Sequence, residues 1–329
     1  MAEFLHYGRS IVIDRFGYLN KFSKYNVVGF EEFPSPLQTA DFKTFDELCN
    51  KRASSFINDY IIDKNETISI MWSGGVDSTS IISCFLRLLE KPYNNFYVFC
   101  TPQAIEENPS YFNFLVENKV PMIELTHENF KDKLNSGIII TGCCTDSLFE
   151  DSYYYKNPSV YNKSYKDYLY EHGFDEEISQ IEEMSNSYKM NVNTTHQFMY
   201  MEGFCCHFNI DALVFRTVAR NDDKVFQFFT SEDFQRWSLA RYFDGKADYY
   251  KSDLDYKPEL KLITSDVTRD TSYLKQTKVY SRRHGVFPLK EYIFFSYRDE
   301  KNILNFVPMN YNTQQQNVFK ETFFRRLLK

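Results

Sequence analysis

No stretch of this 329-residue sequence approaches the roughly 20 consecutive apolar residues that a membrane-crossing helix needs. A membrane-embedded protein is not expected. The opening residues, Met1-Ala2-Glu3-Phe4-Leu5-His6, lack the basic segment and apolar run of a secretory signal. Basic charge is not in excess either: 38 Lys and Arg stand against 45 Asp and Glu, for a net charge of -7. A dedicated nucleic-acid binder carries a basic excess or stripe, so nucleic acid is not the expected partner. The short runs Arg282-Arg283-His284 and Arg325-Arg326 read as solvated surface. The seven cysteines, Cys49, Cys84, Cys100, Cys143, Cys144, Cys205 and Cys206, are odd in number and show no Cys-x-x-Cys zinc spacing. Reduced thiols in a cytoplasmic protein are the expectation.

What the sequence does have is apolar and aromatic material. Hydrophobic residues make up 43% of the chain and aromatic residues 18%, enough for a substantial core and against disorder over most of the length. Residues 1–40 hold the short β-type runs Ile11-Val12-Ile13 and Val27-Val28-Gly29-Phe30, with Pro34-Ser35-Pro36 as a break after them. Phe45, Leu48, Cys49, Ala53, Phe56, Ile57 and Tyr60 recur at helical spacing, which predicts a helix over 42–62. Buried-strand patterns at 67–72, 96–100, 121–125 and 137–141 alternate with helical patterns at 78–89, 110–118 and 127–134. Strands alternating with helices predict an α/β fold with a parallel sheet, whose ligands bind beyond the carboxyl ends of the strands. Past Asp151, periodic segments near 163–171, 175–189, 195–208 and 223–242 predict helices. The expected organisation is a β-rich segment over 1–40, an α/β core over 41–150, and a mainly helical substrate-side region over 151–329.

The segment with the clearest chemistry is Ser73-Gly74-Gly75-Val76-Asp77-Ser78, set between a buried strand and a helix. Its glycines allow a tight turn that brings backbone N–H groups against phosphate oxygens. Ser73 and Ser78 add hydroxyl donors, and the helix start adds partial positive charge. Asp77 would repel bare phosphate, but it suits a Mg2+ ion that bridges phosphates. The ordinary alternative is a strand-to-helix turn capped by Asp77 or Ser78. A Walker A loop is excluded, because the Gly-Lys-Ser/Thr ending is missing.

Residues 73–78 match the signature of PP-loop ATP pyrophosphatases, and further segments resemble the synthetase domain of asparagine synthetases. Thr141-Gly142-Cys143-Cys144-Thr145-Asp146-Ser147-Leu148-Phe149 is similar to the family's Ser-Gly-Glu-Gly-Ser-Asp-Glu-Leu-Phe segment. Leu213-Val214-Phe215-Arg216-Thr217-Val218 is similar to Leu-Glu-Val-Arg-Val-Pro, and Val225-Phe226-Gln227-Phe228-Phe229 to the short helix after it. Lys257-Pro258-Glu259-Leu260-Lys261 resembles Lys-x-x-Leu-Arg, with Lys278 about where a later lysine stands. The resemblance implies ATP and Mg2+ as cofactors and an adenylating, pyrophosphate-releasing reaction. It implies that Ser73, Gly74, Gly75, Val76, Asp77 and Ser78 bind pyrophosphate, with Asp77 and Asp146 on the metal. Thr141 and Phe99 would lie near the adenosine, Lys257 at the α phosphate, and Lys278 at a second phosphate.

Two departures bear on the reaction. Cys143 stands where the family has a catalytic glutamate, and Ser147 replaces a second acidic position. A thiol with an ordinary pKa of about 8.5 does not reproduce a carboxylate near neutral pH. Cys143 is open to three readings: a catalytic thiol, part of a substrate pocket, or a small loop residue. Ala2 occupies the position of the glutaminase nucleophile, and residues 1–40 are too few for a glutaminase domain. The expected partners are therefore a small carboxylate and an amine, with ammonia free or supplied by a separate protein. Modification of a nucleotide, base or tRNA is one alternative, and a nucleotide-binding regulatory or assembly protein is another.

Overall fold

The computed structural model describes residues 4–6, 11–13, 26–29, 44–126, 129, 132–133, 136–142, 145–149, 162–171, 175–187, 190–206, 224–243, 257–276, 292–298 and 304–310. Three short strands come first: β1 (Phe4–His6), β2 (Ile11–Ile13) and β3 (Asn26–Gly29). β2 and β3 pair in parallel, at the two β-type runs that the sequence marks. Helix α1 (Phe45–Phe56) starts at Thr44, whose hydroxyl accepts from the Glu47 backbone N–H while the Glu47 carboxylate accepts from the Thr44 N–H. This reciprocal cap satisfies two of the backbone donors that a helix start leaves over. The helix runs on as a π-helical turn over Ile57–Ile62.

The chain then enters a five-stranded, all-parallel sheet. Its members are β4 (Ile68–Met71), β5 (Phe96–Cys100), β6 (Met122–Glu124), β7 (Ile138–Thr141) and β8 (Val225–Gln227), in the spatial order β6-β5-β4-β7-β8. β4 and β7 are buried at every position. Strands covered on both faces read as continuous apolar runs, which is why both stand out in the sequence. Between them lie α2 (Val76–Leu88), α3 (Pro102–Glu107) and α4 (Pro109–Glu117). The expected helix over 127–134 falls largely outside the described residues.

One expectation is corrected at the far edge. Residues 223–242 do not form one helix, and 225–229 are not the short helix that the resemblance implies. Val225–Gln227 is the fifth strand, followed by a 3-10 turn over Phe228–Thr230. A five-residue apolar run has no readable period, and pairing with β7 satisfies its backbone in a way local sequence does not encode. The described residues of 151–329 are mainly helical, as expected, with strands among them. The region holds β8 and also β9 (Tyr292–Arg298) and β10 (Leu304–Asn310), which build an antiparallel sheet with β1. Its helices are α6 (Tyr165–Glu171), α7 (Asp175–Ser187), α8 (Thr195–Cys206), α9 (Glu232–Phe243) and α10 (Pro258–Thr268), coming after the short α5 (Thr145–Phe149). Among the described residues, no helix is long and apolar enough to cross a membrane.

Aromatic side chains fasten the helical parts to the sheet. Phe45 of α1 packs on Phe149 of α5 at 5.1 Å, and on Phe234 and Trp237 of α9 at 5.3 and 4.6 Å between ring centroids. Phe85 of α2 stacks on Phe96 of β5 at 5.5 Å. Arg87, near the end of α2, donates to Asp46 of α1 at 2.5 Å and lies 3.5 Å from Asp266 of α10. That bridge holds α10 beside α2.

Candidate functional site

The strand order reverses at β4: the chain leaves it for β5 on one side and returns later to β7 on the other. Ligands of open α/β sheets bind at such a reversal, in the crevice beyond the carboxyl ends of the strands. Residues 73–78 come directly after β4, and the segment from Thr141 comes at the end of β7. Their proximity is direct. A Cβ on Gly142 would come within 3.1 Å of the Ser78 backbone nitrogen and 3.2 Å of the Asp77 Cβ.

The loop after β4 is held by its own side chains. Gly74 has φ +79, and a Cβ there would sit 2.5 Å from the Ala104 carbonyl oxygen, because α3 lies against the turn. Glycine is required on both counts. Gly75, with extended backbone, caps the start of α2. The Ser73 backbone N–H donates to the Ser78 hydroxyl at 3.1 Å, the two serine hydroxyls lie 3.1 Å apart, and Ser78 donates to the Gly75 carbonyl at 3.3 Å. Val76 begins the helix and packs at the edge of the main core.

Beneath the loop runs a buried polar network. The Trp72 indole N–H donates to the Thr79 hydroxyl at 2.9 Å. The Tyr273 hydroxyl, carried by a 3-10 turn just after α10, lies near the polar side chains of Thr79, Thr264 and Asn108. Burial pushes the Tyr273 pKa upward, with the nearby Asp77 charge adding to the shift. Asn108 also caps α4 through the Tyr111 backbone N–H and reaches the Gly74 carbonyl at 3.5 Å. Sequence reasoning missed Asn108 and Tyr273. The pair Asn108-Pro109 is a readable helix start, whereas one tyrosine among 25 carries no signal.

Lys257 is the residue that ties the remote part of the chain to the loop. Its Nζ donates to both carboxylate oxygens of Asp77, at 2.9 and 3.0 Å, across 180 positions of sequence. Its side chain is 1% exposed, against 26% for Asp77. Three local effects oppose this arrangement. Burial penalises the ammonium. The left-handed backbone (φ 50, ψ 55) of a residue just before Pro258 costs about 1–3 kcal/mol. A cation at the start of α10 also faces the positive end of that helix. Asp77, in the first turn of α2, is favoured by the same kind of dipole.

Thr141 is buried at the end of β7, and its hydroxyl has no hydrogen-bond partner among the described residues. Phe99 packs with Met71, Leu125, Ile139 and Val225 within the sheet layer. Asp146 belongs to the first turn of α5, whose Thr145 hydroxyl donates to the Gly142 carbonyl at 2.6 Å. Cys143, Cys144, Lys278 and the segment 213–218 lie outside the described residues. The structure thus brings Asp77, Ser78, Gly142 and Lys257 together.

A magnesium-type cation takes one or two carboxylates and otherwise water and phosphate oxygens. Asp77 could supply such a carboxylate: both its oxygens accept from Lys257, and its side chain is 26% exposed. Among the described residues, no three His, Cys, Asp or Glu side chains converge into a closed metal cage. In comparisons with known proteins, no family model matches the chain and no curated protein matches it.

Proposed function

We propose that this chain is an ATP-dependent, AMP-forming ligase of the asparagine synthetase-like kind, acting on a small carboxylate or carbonyl-type oxygen and an amine or ammonia. The observation that carries the reading is the buried Lys257 held on Asp77 at the reversal of strand order. A desolvated cation in strained backbone beside a glycine loop carries costs that an apolar side chain would avoid.

In this reading the loop N–H groups and the Ser73 and Ser78 hydroxyls cradle the β and γ phosphates. Asp77 would hold Mg2+, which when bound offsets part of the pyrophosphate charge. The acceptor oxygen attacks the α phosphorus, and the bond to the β-phosphate oxygen breaks with its electron pair on pyrophosphate. The Lys257 ammonium then lies where that negative charge grows. Fixed charge in a water-poor site stabilises such a transition state without reorganising. An amine next adds to the activated carbon, AMP leaves with the electrons of the carbon–oxygen bond, and the nitrogen gives up a proton. The free thiols of Cys49, Cys84 and Cys100 suit a cytoplasmic setting, where ammonia is free or delivered by another protein.

The test supplies Mg-ATP with panels of carboxylic acids and amines and follows AMP and pyrophosphate. Equal amounts of both, formed only with an acceptor, are the expected result. Tight Mg-ATP binding with no AMP formed from any acceptor would refute the ligase and leave a nucleotide-binding protein.

A further inference from the structure

Asn108 ends α3 and begins α4, and it does so against the glycine loop. Its side-chain oxygen accepts from the Tyr111 backbone N–H at 3.2 Å and from the Ser110 hydroxyl at 3.1 Å, which caps α4. Its backbone N–H donates at 3.2 Å to the Ala104 carbonyl, the same carbonyl that lies 2.5 Å from where a Gly74 side chain would begin. A serine or an aspartate would cap the helix as well. What asparagine adds is a donor: its side-chain nitrogen reaches the Gly74 carbonyl oxygen at 3.5 Å, the long limit of a hydrogen bond.

That carbonyl shares a peptide unit with the Gly75 N–H. The unit is trans, since the cis bond among the described residues is Lys91–Pro92. Carbonyl and N–H therefore point in opposite directions across one rigid plane. Drawing the carbonyl to the buried side turns the N–H to the open side, where it donates to the Ser73 hydroxyl at 3.4 Å. Gly74 has φ +79 and no side chain, so the plane after it turns against little steric resistance. The direction of the N–H depends on what holds each end of the plane.

We propose that Asn108 is a positioning residue for the phosphate loop: by holding the Gly74 carbonyl, it aims the Gly75 N–H at the anion. This rests on the phosphate-site reading above and assigns one N–H group that the site uses. In the free protein the Ser73 oxygen accepts from that N–H. An arriving phosphate oxygen takes its place, and the Ser73 hydroxyl is released to turn. A donor on the carbonyl side also polarises the peptide and strengthens its N–H. Asn108 itself touches no phosphate, and it acts through one peptide plane.

The experiment uses Asn108→Ser, which keeps the cap of α4 but is one atom too short to reach Gly74. Mg-pyrophosphate is titrated by calorimetry into wild type and variant, and the Gly75 amide is followed in 1H–15N correlation spectra of 15N-labelled protein. The folded variant is expected to bind about tenfold more weakly and to show a displaced Gly75 resonance before any ligand is added. A role in capping alone moves neither reading. Folded Asn108→Ser that keeps the wild-type affinity overturns the proposal.

Should Asn108→Ser fail to fold, wild type decides. Mg-pyrophosphate is expected to move the Gly75 amide proton downfield, as a charged acceptor replaces a hydroxyl. A Gly75 resonance that stays in place at saturation overturns the assignment. Failure of the ligase reading looks different: pyrophosphate binding depends on Asn108, yet no acceptor yields AMP. Wild type that binds neither Mg-ATP nor Mg-pyrophosphate overturns both.

Discussion

Breaking the Lys257–Asp77 pair from either end removes the same two hydrogen bonds, yet the two deletions should differ widely in cost. Asp77→Asn leaves an ammonium whose side chain is 1% exposed, at a helix start and facing a neutral amide instead of a carboxylate. Removing one partner of a buried pair in this way costs about 3–5 kcal/mol. Lys257→Met keeps most of the buried stem, removes the cation from the start of α10, and leaves Asp77 26% exposed in the first turn of α2. Water and the α2 dipole then serve the carboxylate, and the dipole alone contributes about 0.3–1 kcal/mol. A loss of about 1 kcal/mol is expected there. Urea unfolding of both variants, followed by far-UV circular dichroism, should separate them by about 2 kcal/mol or more. Equal losses, or a larger loss in Lys257→Met, would refute the claim that the more buried Lys257 depends more on the pair than Asp77 does.

Other perturbations probe the same geometry. Gly74→Ala has to place a methyl group 2.5 Å from the Ala104 carbonyl at φ +79, so a loss of about 2 kcal/mol or more and of Mg-ATP affinity is expected by melting and calorimetry. Tyr273→Phe removes a buried hydroxyl beside Thr79 and Asn108, and should cost about 1–3 kcal/mol in urea unfolding while weakening Mg-ATP binding. Tyr111 and Tyr273 both have pKa values raised by burial, so below the ordinary value of about 10 they are neutral in folded and unfolded chains alike. Above it only the unfolded chain ionises them, and stability should fall as pH rises past about 10, more shallowly in Tyr273→Phe. Phe45→Ala empties the contact among α1, α5 and α9, with an expected loss of about 3–5 kcal/mol in urea unfolding.

The parts of the fold legible in the sequence are those whose burial is written in period or run length. β4, β5 and β7 are continuous apolar runs, and α1 and α2 carry helical spacing, so their existence and parallel pairing can be argued from residues alone. β8 cannot, since Val225-Phe226-Gln227 becomes a strand only because β7 offers an edge. Helix α3 escapes as well, although Thr101 caps it and Pro102 opens it, because six residues are too few for a period. In the site, the glycine loop is legible as a local turn with its donors in order. Lys257 is reached through resemblance alone. Its left-handed backbone and its reach across 180 positions to Asp77 are tertiary facts. The meeting of Tyr273, Asn108 and Thr79 is of the same kind, since no spacing announces that three separate segments come together there.

The two tryptophans of the chain sit in the two neighbourhoods that matter most. Trp72 lies just past the central strand, is buried, and donates to Thr79 under the glycine loop. Trp237 belongs to the aromatic cluster that joins α1, α5 and α9. The molecule thus carries two built-in fluorophores with separate duties. A Trp237→Phe variant would emit from beneath the glycine loop alone, and its spectrum would sense changes in that loop through the Thr79 contact. A Trp72→Phe variant would emit from the helical layer and register its loosening. Loop events and layer events could then be timed independently in the same protein, without an added label.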